Sequence, residues 1–446
     1  MARQEMSRGA PAGTAEDAAK AGKALEATGV AVRTAGPDDS VGGVTPGWVA
    51  LPETATEVAA VLRACADQDL AVVPAGGGTK LHWGPPPERC DVLVDTCCLN
   101  QIVEHEAGDL VVRVQAGVTL EALAEALAAE GQELALDPPL PGGTVGGLLA
   151  TAVAGPRRFR YGTARDLLIG ITVVLADGTV AKSGGKVVKN VAGYDLGKLF
   201  TGSYGTLGVV VDATFRLHPL PAARAWVVAG FGGAADRVEA VTAAVDAAAR
   251  SRAEPSAIEL DWPDVAGPIT VAVLLEGAEA RDRAGAVRGL MGPTARILTE
   301  PPAWWGRPPG THDGPRDGHP GGEILMEMRT PPARLPRALA GVAEAARDAG
   351  VRPAVRGSAA SAVLYVALPG ETGAEEAAAF AGALRADLED AGSGDAGRLI
   401  VLAAPEEAGR RVDRWGHVGA LTLMRRVKER FDPGRRMSPG RFVGGI

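Results

Sequence analysis

Two short glycine-rich turns constrain this chain more than any other feature. The first, PAGGGTK, covers Pro74, Ala75, Gly76, Gly77, Gly78, Thr79 and Lys80 and follows the apolar run LAVV. The second, PGGTVGG, covers Pro141, Gly142, Gly143, Thr144, Val145, Gly146 and Gly147 and runs into LLAT. Glycine reaches positive φ and lets backbone N–H groups approach a ligand closely. Successive N–H groups in such a turn make a nest for an anion. Taken singly, a triple glycine is equally well a tight turn between a strand and a helix. The doubling is what carries weight. The second turn opens a helix, where anions are favoured. Two nests about 60 residues apart could clamp a diphosphate from opposite sides, which points to a dinucleotide.

Two common phosphate patterns are absent. No G-x-x-x-x-G-K-[ST] run occurs, so this is not a P-loop. A G-x-G-x-x-G fingerprint would have to open a helix inside a β-α-β unit. After Thr79 the chain instead reads KLHWGPPP, which starts no helix.

The elements around the turns read as mixed α and β. WVALP is a strand, and a helix starting at Thr54 or Thr56 buries Val58, Leu62 and Cys65. Together with LAVVP they form a β-α-β unit. DVLVD and LVVRVQAG are strands, and TLEALAEALAAEG is a helix with Leu120, Leu123 and Leu127 on one face. LLIGITVVLADGTVAKSGG reads as a hairpin turning at Asp177–Gly178. A helix lies around GYDLGKLFTGS, and GTLGVVVDATFRLHPLP closes the region with a strand. From about residue 223 the order strand–helix–strand–strand–helix–strand indicates a ferredoxin-like α+β sandwich. A final helix, GALTLMRRVKERFD, runs into PGRRMSPGRF.

A chain of 446 residues exceeds one compact core, so two domains are expected. The boundaries are a flexible tail over 1–40, a first domain over 41–222, and a smaller second domain over 223–446 with a Pro/Gly-rich insert at 301–322. Trp304 and Trp305 are unusual for such a loop and either anchor it or dock on a partner.

The net charge of −8 excludes nucleic acid as a main partner. The one basic run, Arg157, Arg158 and Arg160, reads as a solvated loop. Cys65, Cys90, Cys97 and Cys98 form no C-x-x-C pair, and the six histidines form no metal pattern. No metal is expected, and the thiols are expected to be reduced. The N-terminus has no apolar leader, and no apolar run is long enough to span a membrane. The protein is therefore expected in the cytoplasm, unless a partner carries it to the membrane.

PAGGGTK, PGGTVGGLLAT, RYGTARDLLIGITVVLADG and KNVAGYDLGKLFTGSYGTLGVVVDATFRLHPLP, in this order and spacing, resemble the FAD domain of the vanillyl-alcohol oxidase family, also called PCMH-type. The resemblance covers about 45–221, and FDPGRRMSPGRF is similar to the family's C-terminal ending. Within the family, AGPRRFRYG, KNVAGYDL and GSYGTLG are most similar to the E-subunit group of bacterial glycolate oxidases.

The resemblance implies a PCMH-type fold of two subdomains followed by the α+β domain. It implies that residues 75–79 wrap the FAD diphosphate from one side and residues 142–147 from the other. Ala150, Thr151 and Gly155 would line the flavin's path, and Gly208, Val209 and Val210 would hold its adenine or ribityl side. Residues 189–198, with Lys189, Tyr194 and Asp195, would pack beside this region, or else serve as cap and core. The loop GGGTK carries neither His nor Cys, so the FAD is expected to be non-covalent, with His82 just beyond. Ser438 stands where the family's ending often has Asn.

The function implied is that of an FAD-dependent oxidoreductase subunit acting on a 2-hydroxy acid such as glycolate or D-lactate. Electrons would pass to partners, namely a catalytic flavin subunit and an iron–sulfur subunit. A stand-alone dehydrogenase of a hydroxy acid or sugar alcohol, and a non-catalytic assembly subunit, are the alternatives. No histidine–acid cluster appears in 223–446. His417 is the candidate base, His218 reads as structural, and Arg329, Arg356 and Arg414 are candidates for a carboxylate clamp.

Overall fold

The computed structural model describes residues 15–185, 194–232, 237–310, 323–389 and 396–446. Order begins inside the segment expected to be a tail. Helix α1 (Ala15–Glu26) and strand β1 (Ala31–Thr34) precede β2 (Trp48–Leu51), α2 (Ala55–Asp67), β3 (Val72–Ala75) and β4 (Val92–Asp95). The sheet order is β1-β2-β4-β3, with β2 and β3 parallel to β4. Thr54 caps α2 by accepting the Glu57 N–H at 3.1 Å. The helix buries Val58, Leu62 and Cys65.

The second subdomain follows. It holds β5 (Ile102–Glu106), β6 (Val111–Gln115), α3 (Leu120–Ala129), β7 (Gln132–Glu133) and α4 (Val145–Thr151). Next come α5 (Arg158–Tyr161), α6 (Ala164–Leu167), β8 (Leu168–Val174), β9 (Val180–Gly184), α7 (Leu196–Phe200), β10 (Val209–Arg216) and β11 (His218–Pro219). Five strands form an antiparallel sheet in the order β5-β6-β10-β8-β9. The β8–β9 hairpin turns at Gly178, whose φ is +79°. Asp177 stabilises that turn by accepting the Thr179 N–H at 2.8 Å.

The second domain differs from expectation in scale. The ferredoxin-like order occurs twice. The first copy is β12 (Arg224–Phe231), α8 (Arg237–Ala249), β13 (Ala257–Trp262), β14 (Ile269–Glu276), α9 (Ala280–Met291) and β15 (Arg296–Leu298). The second is β16 (Ile324–Arg329), α10 (Leu335–Ala349), β17 (Ala354–Ser358), β18 (Val363–Leu368), α11 (Ala374–Glu389) and β19 (Arg398–Ala403). Their edge strands β13 and β17 pair antiparallel, giving one eight-stranded sheet in the order β15-β12-β14-β13-β17-β18-β16-β19. Joining the two copies removes an exposed edge from each.

Strand alternation gives this sheet two different faces. Ile258, Leu260, Trp262, Met326, Met328, Leu364 and Val366 pack under the helices. Leu325, Tyr365 and Ala367 point the other way, into the core of the first domain. Farther along, Trp226, Val228 and Leu274 are covered by Trp304 and Trp305. These two tryptophans therefore anchor their loop on the sheet. The remainder of that insert, 311–322, lies outside the described residues, as does Lys189.

The chain ends by returning to its beginning. After α12 (Glu406–Arg411) and α13 (Leu421–Phe431), the segment FDPGRRMSPGRF runs beside β3. Val72 donates its N–H to the Arg436 carbonyl, and Ser438 donates its N–H to the Val72 carbonyl, each at 2.8 Å. Lys428 fixes this strap from beneath. Its Nζ donates to the carbonyls of Thr206 and Met437 and to Asp432, each at 2.8 Å.

Candidate active site

The two glycine turns touch. A Cβ on Gly76 would lie 2.1 Å from Oγ1 of Thr144, and a Cβ on Gly77 would lie 2.0 Å from the Gly142 carbonyl oxygen. Gly78 has a φ of +70° and Gly142 one of +73°. The three glycines of the first turn thus answer two demands. Gly76 and Gly77 make room for the second turn, and Gly78 supplies left-handed backbone. Gly146 packs against Ala116, whose Cβ would stand 3.0 Å from a Cβ there. Thr144 caps α4 by accepting the Gly147 N–H at 3.3 Å.

These turns wall a cleft of about 570 Å³, measured with its open mouth. Pro74 through Lys80 line one side, and Thr144, Gly147, Ala150 and Thr151 line the other. Tyr204, Gly205 and Arg441 complete the wall. Tyr204 adopts a φ of +55° and packs against Trp415 and Phe442, each at 5.8 Å between ring centres. Arg441 donates to the carbonyls of Leu81 at 3.0 Å and Trp83 at 2.7 Å.

Lys80 gives the cleft its charge. Burial pushes its ammonium down to about 8. Its Nζ donates to Thr79 Oγ1 at 3.0 Å, and among the described residues no carboxylate pairs with it. A cation held this way beside two turns of backbone N–H groups suits a diphosphate. The cleft therefore fits the cofactor that the turns imply.

Other expected residues sit elsewhere. Gly208 precedes β10, which Val209 and Val210 begin; all three are buried, and a Cβ on Gly208 would meet the Val174 carbonyl oxygen at 2.4 Å. They back the site without lining the cleft. Asp195 caps α7 by accepting the Lys198 N–H at 3.1 Å, and Tyr194 is 93% exposed. His82 is not on the cleft wall. His218 packs edge-on against Tyr161 with ring centres 4.7 Å apart. His417 is exposed and lines neither cavity. Arg356 pairs with Asp261 at 2.7 Å, Arg329 pairs with Glu327, and the buried Arg414 reaches the Leu402 carbonyl at 3.4 Å. None of the three lines this cleft or the interdomain pocket described next.

A second, smaller pocket lies where the domains meet, about 320 Å³ with its mouth. Ala154, Gly155 and Pro156, just past α4, form its floor with Arg158, while Glu259, Ser358 and Tyr365 face it from the eight-stranded sheet. Gly155 belongs here, because a Cβ would stand 1.8 Å from the Asp137 carbonyl oxygen. Burial pushes the Glu259 carboxyl up to about 8, and nearby Arg158 only partly opposes this. Arg157 does the opposite of its neighbour. It is buried and pairs with Glu133 at 2.6 Å, Asp137 at 2.8 Å and Glu276 at 3.4 Å, tying one domain to the other. Of the basic run, only Arg160, on α5, is exposed.

The comparisons agree with this geometry. The family described as an FAD binding domain matches residues 46–184. D-lactate dehydrogenase (cytochrome) 1, mitochondrial, from Saccharomyces cerevisiae is 38% identical over 189 residues, which is 42% of this chain and 32% of that protein. Glycolate oxidase subunit GlcD from Bacillus subtilis is 34% identical over 220 residues, 49% of this chain and 46% of that one. The chain thus matches 32% and 46% of the length of these two relatives. The fold extends further. The structure of p-cresol methylhydroxylase with substrate bound superposes with a TM-score of 0.75 at 19% identity, covering 97% of this chain and 98% of that one. A 4-ethylphenol oxidase from Gulosibacter chungangensis gives 0.71 at 17% identity, with the same coverage.

Fold and cleft together define a flavoprotein fold of the PCMH type. Residues 46–184 match an FAD binding domain, and FAD is the cofactor that this match and the cleft support. Among the described residues, no helix is long and apolar enough to cross a membrane.

Proposed function

We propose that the protein is an FAD-dependent oxidoreductase subunit that takes part in oxidising a 2-hydroxy acid of the glycolate or D-lactate type. FAD is held non-covalently, its diphosphate between the turns at 75–79 and 142–147 and against Lys80. A bound flavin supplies a two-electron acceptor that can pass electrons onward. The chain itself orients the cofactor, closes the cleft with Tyr204 and Arg441, and presents the interdomain pocket past the end of α4. The observation that carries this reading is the interlock of the two turns around one cleft whose lysine has no carboxylate partner among the described residues.

The electrons are proposed to leave through an iron–sulfur subunit in a cytoplasmic complex that also holds a catalytic flavin subunit. The similarity to a protein named as a glycolate oxidase subunit supports this part. A second reading, a stand-alone hydroxy-acid dehydrogenase, is favoured by the interdomain pocket lined in part by Arg158, Glu259, Ser358 and Tyr365. Anaerobic addition of glycolate or D-lactate to the FAD-loaded chain separates the two. Bleaching of the flavin by the chain alone supports the stand-alone enzyme. Bleaching only after the other subunits are added supports the complex. No bleaching in either case contradicts both.

A further inference from the structure

Cys97 and Cys98 occupy the two central positions of a tight turn just after β4, closed by the Leu99 N–H donating to the Thr96 carbonyl at 2.9 Å. Their sulfur atoms lie 3.6 Å apart. Cys97 is exposed and Cys98 partly so, whereas Cys65 and Cys90 are buried. A sulfur–sulfur bond is about 2.0 Å long, so the two thiols are within a side-chain rotation of each other. Neighbouring Cα atoms are about 3.8 Å apart, less than the span of about 4.4–6.8 Å usual in disulfides. Closing so small a ring must twist the central peptide of the turn. A bridge strained in this way is easily reduced again, as regulatory bridges are.

The same turn holds both glycine turns in place. Thr96 donates its N–H and its Oγ1 to the Ala75 carbonyl, each at 2.9 Å, at the start of the first glycine turn. On its other side, Gly117 donates its N–H to the Leu99 carbonyl at 2.8 Å. Gly117 sits so close that a Cβ there would lie 1.9 Å from the Thr96 carbonyl oxygen. The residues flanking Gly117 carry the second glycine turn. The Ala116 carbonyl accepts the Gly146 N–H at 2.7 Å, and the Val118 carbonyl accepts the Val145 N–H at 3.0 Å. The turn bearing the thiols is thus bonded to the first glycine turn directly and to the second through 116–118.

We propose that Cys97 and Cys98 form a reversible thiol–disulfide switch whose closure pulls on both glycine turns and loosens FAD. The cofactor consequence rests on the proposed function, and the thiol chemistry does not. The oxidant is a small-molecule disulfide. One cysteine, as its thiolate, attacks a sulfur of that disulfide and releases one small thiol. The second cysteine then displaces the other small thiol and closes the Cys97–Cys98 bond. The two electrons and two protons lost by the cysteines end on the two released thiols. A dithiol reductant reverses both steps.

The surroundings set the threshold. The groups facing Cys97 are Cys98, Asp95 and, from β1, Arg33. Arg33 is taken up by Asp39 at 2.7 Å. Asp95 accepts the Cys97 N–H at 2.9 Å. Burial first, and then the Asp95 charge, push the Cys97 thiol up to about 12. The pair therefore rests as thiols at neutral pH, and closure speeds up as pH rises because the thiolate is the attacking form.

The test equilibrates the FAD-loaded full chain with oxidised glutathione at pH 7 and pH 9. Remaining thiols are alkylated, and the peptide carrying Cys97 and Cys98 is weighed. FAD affinity of the oxidised and the re-reduced protein is read by fluorescence titration. The peptide should lose two hydrogens and take no alkyl group, sooner at pH 9. FAD should bind about tenfold or more weakly in the oxidised form, and dithiothreitol should restore both properties. Asp95→Asn should close faster than wild type at pH 7. Cys98→Ser should stop at a glutathione adduct on Cys97. The double variant Cys97→Ser with Cys98→Ser should bind FAD as the reduced wild type does, with or without oxidant. A pair that stays fully alkylated at pH 9 overturns the switch. So does a closed bridge with unchanged FAD affinity, or an equal loss of affinity in the double variant. A reduced chain that takes no FAD refutes the cofactor reading instead. Hydrogen exchange at the Gly117 and Gly146 amides then decides the switch: faster exchange after closure supports it, and unchanged exchange overturns it.

Discussion

Oγ1 of Thr144 occupies space that a side chain on Gly76 would need, since a Cβ there would lie 2.1 Å away. The two cofactor turns are thereby set at a fixed separation by direct contact. Gly76→Ala must push them apart. Overpacking of this kind costs about 1–3 kcal/mol, and FAD affinity should drop by about tenfold or more because both walls shift. Thermal unfolding with and without FAD checks this. An alanine variant with unchanged affinity would show that the contact does not set the cleft.

Lys80 should contribute charge rather than shape. Lys80→Met should weaken FAD by about 10- to 100-fold, the range for loss of a charge-assisted hydrogen bond of about 1.5–3 kcal/mol. The pH dependence follows from the same residue. Burial holds its ammonium down to about 8, and a bound diphosphate would raise it. FAD affinity of the wild type should therefore fall as pH rises above about 8, and the Met variant should be flat across that window. Fluorescence titration at pH 7, 8 and 9 decides it.

The C-terminal strap depends on Lys428. Its partner Asp432 is fully buried and also accepts N–H groups from Arg436 at 3.1 Å and Met437 at 2.8 Å. Lys428→Met leaves that carboxylate without its cation, at a cost of about 3–5 kcal/mol. The strap should then detach from β3 and become open to protease. The paired change Lys428→Met with Asp432→Asn should recover much of the loss. If the single variant unfolds at the wild-type urea midpoint, the strap is not held this way.

Glu259 predicts a pH-dependent stability. Its folded-state value is near 8, whereas an unfolded Glu titrates at about 4.3. Between these values the folded chain keeps a proton that the unfolded chain has lost, so stability falls as pH rises and levels off above about 8. Glu259→Gln cannot titrate. Its melting temperature relative to wild type should rise from pH 5 to about pH 8 and level off above that. A constant offset would contradict the assignment.

The two turns, the β-α-β unit, the hairpin at Asp177–Gly178 and the stripe on α2 were all legible in the sequence, because each rests on local chemistry. What could not be read there depends on which surface covers which. The alternation in AIELDW places Glu259 and Asp261 opposite Ile258, Leu260 and Trp262, a pattern that in isolation means a solvated face. Another domain covers it here. Arg157, Arg158 and Arg160 read as one solvated run, yet one is buried in an interdomain ion-pair network, one lines a pocket and one is exposed. Arg441 joins the cleft only because the strap folds back across hundreds of residues, and Tyr204 is held there by its N–H bond to the Ala150 carbonyl. The doubled ferredoxin-like unit was visible only as its first copy, since the Pro/Gly insert separates it from the second.

Ser438 has a physical signature that a hydrogen-bond argument from sequence misses. It is fully buried at a φ of +42°, and its Oγ has no hydrogen-bond partner. Left-handed backbone favours Gly and Asn, so Ser438 sits in a conformation that its residue type rarely adopts.

The most direct test of the cofactor assignment is the visible spectrum of the purified chain, taken before acid precipitation and again on the supernatant. The account predicts oxidised-flavin bands that move into the supernatant, at about one FAD per chain, and that are greatly diminished in Gly76→Ala and Lys80→Met. A colourless protein that cannot be reconstituted with FAD would contradict it.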